Sequence, residues 1–315
     1  MKPVNALRRR IRDYLGLAAP GQTPALSVQS ETIEAGYVRQ LVSYPSSDGE
    51  SIDAFLLTPS AARPRTAVVA LHQHNSEWAL GKSEIAGIAG DVWQAFGPAL
   101  AREGVIVLAP DAVGFESRSG VPGYGTELAP QITRPYGSRE GWLHYYNQAM
   151  HRLLRGELLM RQVLNDASAA VSVLCALPGV ERIGVVGHSY GGNIALFAAG
   201  LDERIAFTCA SGAACSYRHK FAHGTGLEMA LVIPGFTEHF DLDDLMRCTA
   251  PRKLLVVSAE DDPLSADASD LITRAAPAFD RAQAANLEHL RFPGAHALDE
   301  ARFAAIVAWL LREAL

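Results

Sequence analysis

Arg182-Ile-Gly-Val-Val-Gly-His-Ser-Tyr-Gly-Gly-Asn-Ile-Ala-Leu-Phe-Ala-Ala-Gly200 is the stretch on which the fold turns. The apolar, β-branched run up to Val186 reads as a strand, Gly187-His-Ser-Tyr-Gly191 as a sharp turn, and Gly192 to Gly200 as a small-residue helix. Such a turn strains the backbone of its central residue and leaves room only for small neighbours. Gly187 and Gly191 provide the clearance, and Gly192 lets the helix close on the strand. Ser189 Oγ then stands at the tip of a sheet. Gly-x-Ser-x-Gly by itself arises by chance in about one chain of ten at this length. The strand before it and the helix after it therefore carry the inference.

The rest of the chain repeats the same alternation. Residues 38–44 and 52–57 flank the polar turn Ser46-Ser-Asp-Gly49 and read as a hairpin. Apolar runs at 66–71, 105–108, 183–186, 205–208, 254–257 and 287–292 supply six further strands, giving eight. Helical patterns fall at 85–103, 158–177, 193–201, 266–279 and 299–315. Strands alternating with helices predict an α/β architecture, a mostly parallel eight-stranded sheet with an antiparallel N-terminal edge hairpin and helices on both faces. Residues 1–30 read as an N-terminal appendage, a short basic amphipathic stretch followed by the loop signal Pro20-Gly-Gln-Thr-Pro24. Residues 31–315 read as one domain with a loop and helix insertion around 112–156. That insertion contains Gly114-Phe-Glu-Ser-Arg-Ser-Gly120, Gly123-Tyr-Gly125 and the aromatics Trp142, Tyr145 and Tyr146. It is expected to wall a pocket, the alternative being a surface helix packed by those aromatics.

A serine hydroxyl is a weak nucleophile at neutral pH and needs a histidine base oriented by a carboxylate. When the serine sits on such an elbow, the acid and then the histidine follow it in the chain. The strand at 254–257 runs into Glu260-Asp-Asp-Pro263, so Glu260, Asp261 and Asp262 compete for the acid. Asp262 is preferred because the loop has cleared the strand there and Pro263 holds the turn; Asp261 is the alternative. His296 follows the last strand, in Pro293-Gly-Ala-His296 before the final helix. His289 also lies downstream but falls within a strand, where a packed or paired role is expected. Two backbone N–H donors must receive the negative oxygen of a tetrahedral intermediate. Tyr190 is one. The other is expected from Leu71-His-Gln-His-Asn75, with His74 favoured over Gln73.

The 315 residues are 49% hydrophobic and 20% charged, ample for a large packed core. A net charge of −6 with scattered acidic residues gives no footprint for nucleic acid. The four cysteines have no CxxC spacing and read as free, mostly buried thiols. No apolar run approaches the roughly 20 residues of a membrane span, and the N-terminal residues lack a signal-like apolar core. These features predict a soluble, cytoplasmic protein. His72-x-His74 and His219-Lys-Phe-Ala-His223 lack the accompanying ligands of a metal site, and Arg8 to Arg12 read as a solvated helix face.

With elbow, acid and base in this order, the chain resembles α/β-hydrolases of the dienelactone hydrolase and acetyl-xylan-esterase-like group. The likeness spans most of residues 36–315. It also rests on Leu71-His-Gln-His-Asn75 with Trp78, Gly81-Lys-Ser-Glu84, Ala109-Pro-Asp111 with Gly114-Phe-Glu-Ser-Arg118, Leu201-Asp-Glu-Arg204 and Ala250-Pro-Arg-Lys253. The resemblance implies hydrolysis of small-molecule carboxylic esters through an acyl-enzyme, with no metal and no organic cofactor. It leaves the ester, the pathway and the oligomeric state open. Alternatives with the same residues are a peptidase, a thioesterase, or a biosynthetic acyltransferase or cyclase. A further one is a non-catalytic binding protein on the same scaffold.

Overall fold

The computed structural model describes residues 3–19, 21–60, 64–120, 139–280 and 283–315. One sheet is built from β1 (Ser27–Glu34), β2 (Tyr37–Pro45), β3 (Ser51–Pro59), β4 (Thr66–Leu71), β5 (Ile106–Pro110), β6 (Arg182–His188), β7 (Ile205–Ser211), β8 (Lys253–Ala259) and β9 (Leu287–Phe292). Their spatial order is β1-β2-β3-β5-β4-β6-β7-β8-β9. The first three strands are antiparallel and β3 is antiparallel to β5, while β5, β4, β6, β7, β8 and β9 run parallel. The helices are α1 (Pro3–Leu15), α2 (Lys82–Ile85), α3 (Phe96–Ala101), α4 (Arg139–Leu154), α5 (Leu159–Cys175), α6 (Tyr190–Leu201), α7 (Tyr217–His223), α8 (Leu242–Thr249), α9 (Ala268–Ala275) and α10 (Glu300–Ala314).

Residues of β4 and β5 are buried throughout, because helices cover both faces of the sheet. On one face α1, α5, α6, α8 and α9 share an apolar core with the strands; on the other, α3 and α10 do so through Phe96, Leu100, Ile306, Trp309 and Leu310. From β4 the chain crosses to β5 on one side, then returns so that β6 lies on the other. A crevice therefore opens beyond the carboxyl end of β4, where the order reverses. The loop after β4 and the turn after β6 both project into it.

Among the described residues the sheet has nine strands rather than the expected eight. The extra strand, β1, carries Ser-Val-Gln-Ser-Glu-Thr-Ile-Glu with nearly every residue exposed, so it shows no apolar alternation to read. Backbone pairing to β2 holds it at the edge. The single helix expected over 85–103 is broken into α2, a 3-10 turn at Val92–Gln94 and α3, with Gly87 and Gly90 at positive φ between them.

Of the basic stretch read as a solvated face, Arg9 and Arg10 are exposed, whereas the face of α1 that carries Arg8 packs on the core. Ile11 and Leu15 of α1 are buried, each burial contributing about 1.5–3 kcal/mol. Arg8 is only 5% exposed. Its Nε donates to Gly200 O at 3.0 Å and its Nη2 to Cys248 O at 2.7 Å, so one guanidinium satisfies carbonyls at the ends of α6 and α8. In the 112–156 region, Gly123-Tyr-Gly125 lie outside the described residues. Tyr145 is buried, whereas Trp142 and Tyr146 stack on one another at exposed positions of α4.

Candidate active site

Ser189 links β6 to α6 with φ 55° and ψ −117°, a strained conformation for a residue with a side chain. Its neighbours have no alternative to glycine. A Cβ on Gly187 would lie 2.2 Å from the carbonyl carbon of Gly191, and one on Gly191 would lie 2.1 Å from Leu71 O. The second distance also shows that the elbow abuts the end of β4. Tyr190 begins α6, so its N–H belongs to the first turn, where amides have no acceptor within the helix.

Ser189 Oγ donates to His296 Nε2 at 2.7 Å, and His296 Nδ1 donates to Asp262 Oδ1 at 3.0 Å. Asp262 is 2% exposed, while Glu260 and Asp261 point to solvent. The structure thus brings Asp262, not Asp261, to the histidine. The turn after β8 shapes this: Leu264 N donates to Asp262 Oδ1 at 2.9 Å and Ser265 Oγ to Oδ2 at 2.6 Å. Burial pushes the Asp262 carboxyl up, but the hydrogen bond and charge of His296, with Ser265 and Leu264, outweigh it and hold it below the ordinary value. It is ionised at neutral pH. Ser265 was not singled out from sequence, although Asp-Pro-Leu-Ser is a spacing at which a hydroxyl reaches back to a carboxylate. His289, inside β9, pairs with Ser258 Oγ at 2.8 Å, the packed role expected of it.

The loop after β4 is fixed by its own side chains. His72 Nε2 accepts from Ala112 N at 3.1 Å, which places its proton on Nδ1, and Nδ1 donates to Gln73 O at 2.8 Å. His74 Nδ1 accepts from Ser76 N at 2.9 Å, leaving Nε2 directed at Glu228 Oε2, 3.7 Å away. Its ring sits among Trp78, Phe115 and Tyr145. Tyr145, from the insertion, donates to Glu228, so it lies behind the candidate second amide donor. Both histidines of His72-x-His74 are engaged by protein groups, beyond the end of β4. Among the described residues, no cluster of three or more histidine, cysteine, aspartate or glutamate side chains has metal-holding geometry. His219 and His223 stack on each other, 4.0 Å between ring centroids.

Beneath this loop lies a buried charge cluster. Lys82 Nζ donates to Asp111 Oδ2 at 2.8 Å and to Glu116 Oε1 at 2.7 Å, with all three side chains at most 2% exposed. Burial disfavours the Lys82 ammonium, yet the two carboxylates more than offset it and its proton is held more tightly than usual. Glu116 is pushed up to about 7 by burial and by the Asp111 charge, against the pull of Lys82. Lys82, Asp111 and Glu116 fall in stretches of family resemblance, and nothing in their spacing announces this contact.

His188, adjacent to the serine, is fully buried with its ring 4.9 Å from that of His296 and its Nδ1 3.0 Å from Ser211 Oγ. Burial first, then the charges of His296 and Arg302, lower its proton affinity from 6.5 to about 3. Below pH 6.5 the unfolded chain therefore binds a proton that the fold refuses, and stability falls with pH. Relative to a His188→Gln variant, the wild type is expected to lose up to about 1.4 kcal/mol per pH unit as pH drops from 6.5 towards 3. Urea unfolding of both proteins at pH 7, 6, 5 and 4 measures this; parallel curves would contradict it.

The model of the dienelactone hydrolase family matches residues 52–211, just over half of the chain. YtaP of Bacillus subtilis (strain 168), described as a hydrolase, is 26% identical over 233 residues, covering 71% of this chain and 70% of its own length. A Bacteroides fragilis NCTC 9343 protein described as an acetyl xylan esterase superimposes with a TM-score of 0.75 at 14% identity, over 99% of this chain and 87% of that one. A glucuronoyl esterase from Solibacter usitatus does so with a TM-score of 0.66 at 15% identity, over 98% and 91%. At such identities the two structural likenesses establish the shared fold, and the family match supplies what they cannot. The chain belongs to the dienelactone hydrolase family and is a serine ester hydrolase.

Proposed function

We propose that this hydrolase cleaves small-molecule carboxylic esters through an acyl-enzyme on Ser189. The observation that carries the reading is the unbroken chain of hydrogen bonds from Asp262 through His296 to Ser189 Oγ. As Oγ adds to the ester carbonyl carbon, His296 Nε2 takes its proton. Asp262 holds the ring and stabilises the imidazolium. The carbonyl oxygen becomes an alkoxide, received by the N–H groups of Tyr190 and His74 and by the positive end of α6. When the C–O bond to the alcohol breaks, His296 returns the proton to the leaving oxygen. Water then adds to the acyl-Ser189 ester with His296 again as base, releasing the acid and restoring the serine.

We assign the reaction to one domain that takes in α1 and β1 as well as residues 31–315, with residues 112–120 and 139–156 contributing to the pocket wall. Support comes from the single sheet that both cores share and from Tyr145 packing against His74. A cytoplasmic setting is consistent with four free cysteines, and among the described residues no helix is long and apolar enough to cross a membrane. Two fold relatives are named for different esters, so the reading extends to the ester class and not to one substrate. A fluorophosphonate probe tests it. One adduct is expected, mapped by mass spectrometry to the Ser189 peptide, together with turnover of short-chain p-nitrophenyl esters. Absence of both labelling and turnover would overturn the proposal.

A further inference from the structure

Gln73 precedes the candidate donor His74, and its side chain points away from the crevice. It is 8% exposed, and its Nε2 donates to Glu84 Oε1 at 3.0 Å. The same oxygen accepts Asp91 N at 3.2 Å. Glu84 is itself 2% exposed, and a Cβ on Gly90 would lie 2.8 Å from its Oε1. Its short helix α2 is held at the other end by the charge cluster. Lys82 N donates to Asp111 Oδ1 at 2.7 Å, and Ser83 N and Oγ donate to Glu116 Oε2 and Oε1 at 2.9 and 2.5 Å. Glu116 N in turn donates to Trp78 O at 2.7 Å. Lys82-Ser-Glu84, Asp111 and Glu116 thus form one buried polar frame that reaches the loop after β4 through Glu84 and Gln73.

Burying a carboxylate is unfavourable, and here it pushes the Glu84 carboxyl up to about 7 despite its two N–H donors. Asp91 and Glu116 raise it further, and the neighbouring Lys82 is already engaged by Asp111 and Glu116. A core built only for stability would favour an apolar side chain at this position. What the carboxylate supplies is direction: its oxygen fixes the Gln73 side-chain amide, which acts together with the His72 Nδ1 bond to Gln73 O to set the plane of the following peptide. We infer that Glu84 is a positioning residue for ester hydrolysis, holding Gln73 so that the main-chain N–H of the loop meets the developing oxyanion. The inference rests on Ser189 as nucleophile and on residues 72–75 as the oxyanion loop.

A loop displaced by an ångström costs on the order of 10²-fold in rate while leaving ground-state binding nearly untouched. The test is to measure kcat, KM and affinity for a boronic acid that forms a tetrahedral adduct with the serine. The variants are Glu84→Ala, Glu84→Gln, Gln73→Ala and the double alanine variant, with rates normalised to sites titrated by fluorophosphonate. Each single alanine variant is expected to lose about 10- to 100-fold in kcat per active site. KM should stay within about threefold, and boronate affinity should weaken in parallel. The double variant should be no worse than about threefold below the poorer single, because both remove one link. Glu84→Gln keeps an oxygen acceptor and should retain at least about a third of the activity. Full kcat per titrated site in Gln73→Ala and Glu84→Ala overturns the inference, as do losses that multiply in the double variant. Loss confined to the number of titratable sites also overturns it, since that marks a structural role alone. Retained turnover in Ser189→Ala would instead overturn the underlying assignment.

Discussion

Ester turnover by a Ser189→Ala variant is expected to fall on the order of 10⁶-fold, the loss seen when the nucleophile of a serine triad is removed, with the fold unchanged. The size follows from what is deleted. Without Oγ no acyl-enzyme forms, and the ester is left to direct attack by water in a cleft that still offers amide donors. The fold is expected to survive because the strain at residue 189 is a property of the backbone. Ser189 N donates to Ser211 O, and Ser189 O accepts from Asn193 N and Nδ2, at 2.8, 3.0 and 3.1 Å. None of these involves Oγ, and alanine at φ 55° is no more strained than serine. Circular dichroism and thermal unfolding should match the wild type to within a few degrees, and fluorophosphonate labelling should vanish. Turnover within tenfold of wild type would remove Ser189 from the chemistry and the acyl-enzyme with it.

What the sequence made legible was set by how directly a residue's neighbours dictate its place. β4 and β9 are read to the residue, because a fully buried strand needs an unbroken apolar run and a half-buried one still shows spaced apolar residues, here Leu287, Leu290 and Phe292, before the turn signal Pro293-Gly294. β1 is illegible for the opposite reason: a solvent-facing edge strand depends on backbone pairing, which any polar sequence can make. The elbow was legible because Gly187 and Gly191 leave no steric alternative. Arg8 is deceptive in sequence because a charged side chain predicts exposure. It lies on the same face of α1 as Ile11 and Leu15, and its guanidinium ends on carbonyls from distant segments. Nothing local to Arg8 announces them. The same limit applies to Gln73 and Glu84, eleven residues apart in sequence, whose contact exists only once α2 is pinned by Asp111 and Glu116.

The acid is where sequence left two neighbours open, and its chemistry makes the choice measurable. Asp262→Ala is expected to lower kcat by about 10⁴-fold, as loss of the carboxylate alone does in a serine triad, whereas Asp261→Ala should stay within about threefold of wild type. Asp261 is exposed, and the hydrogen bond by which it joins the fold runs from its backbone N to Gly294 O at 3.0 Å. Asp262→Asn is the more informative replacement. In this site Oδ1 already receives Leu264 N as well as His296 Nδ1, while Oδ2 receives a hydroxyl that can rotate to become an acceptor. An asparagine therefore settles with its oxygen towards Leu264 and His296 and its NH₂ towards Ser265. The imidazole keeps its proton on Nδ1, and Nε2 remains free to act as base. Only the negative charge facing the imidazolium is lost, a charge-assisted bond worth about 1.5–3 kcal/mol, or roughly 10- to 150-fold in rate. The order expected in kcat is wild type and Asp261→Ala, then Asp262→Asn, then Asp262→Ala. A collapse of Asp261→Ala with Asp262→Ala active would move the acid by one residue. Equal losses in Asp262→Asn and Asp262→Ala would mean that Ser265 cannot reverse its hydrogen bond and that the wrong imidazole tautomer prevails.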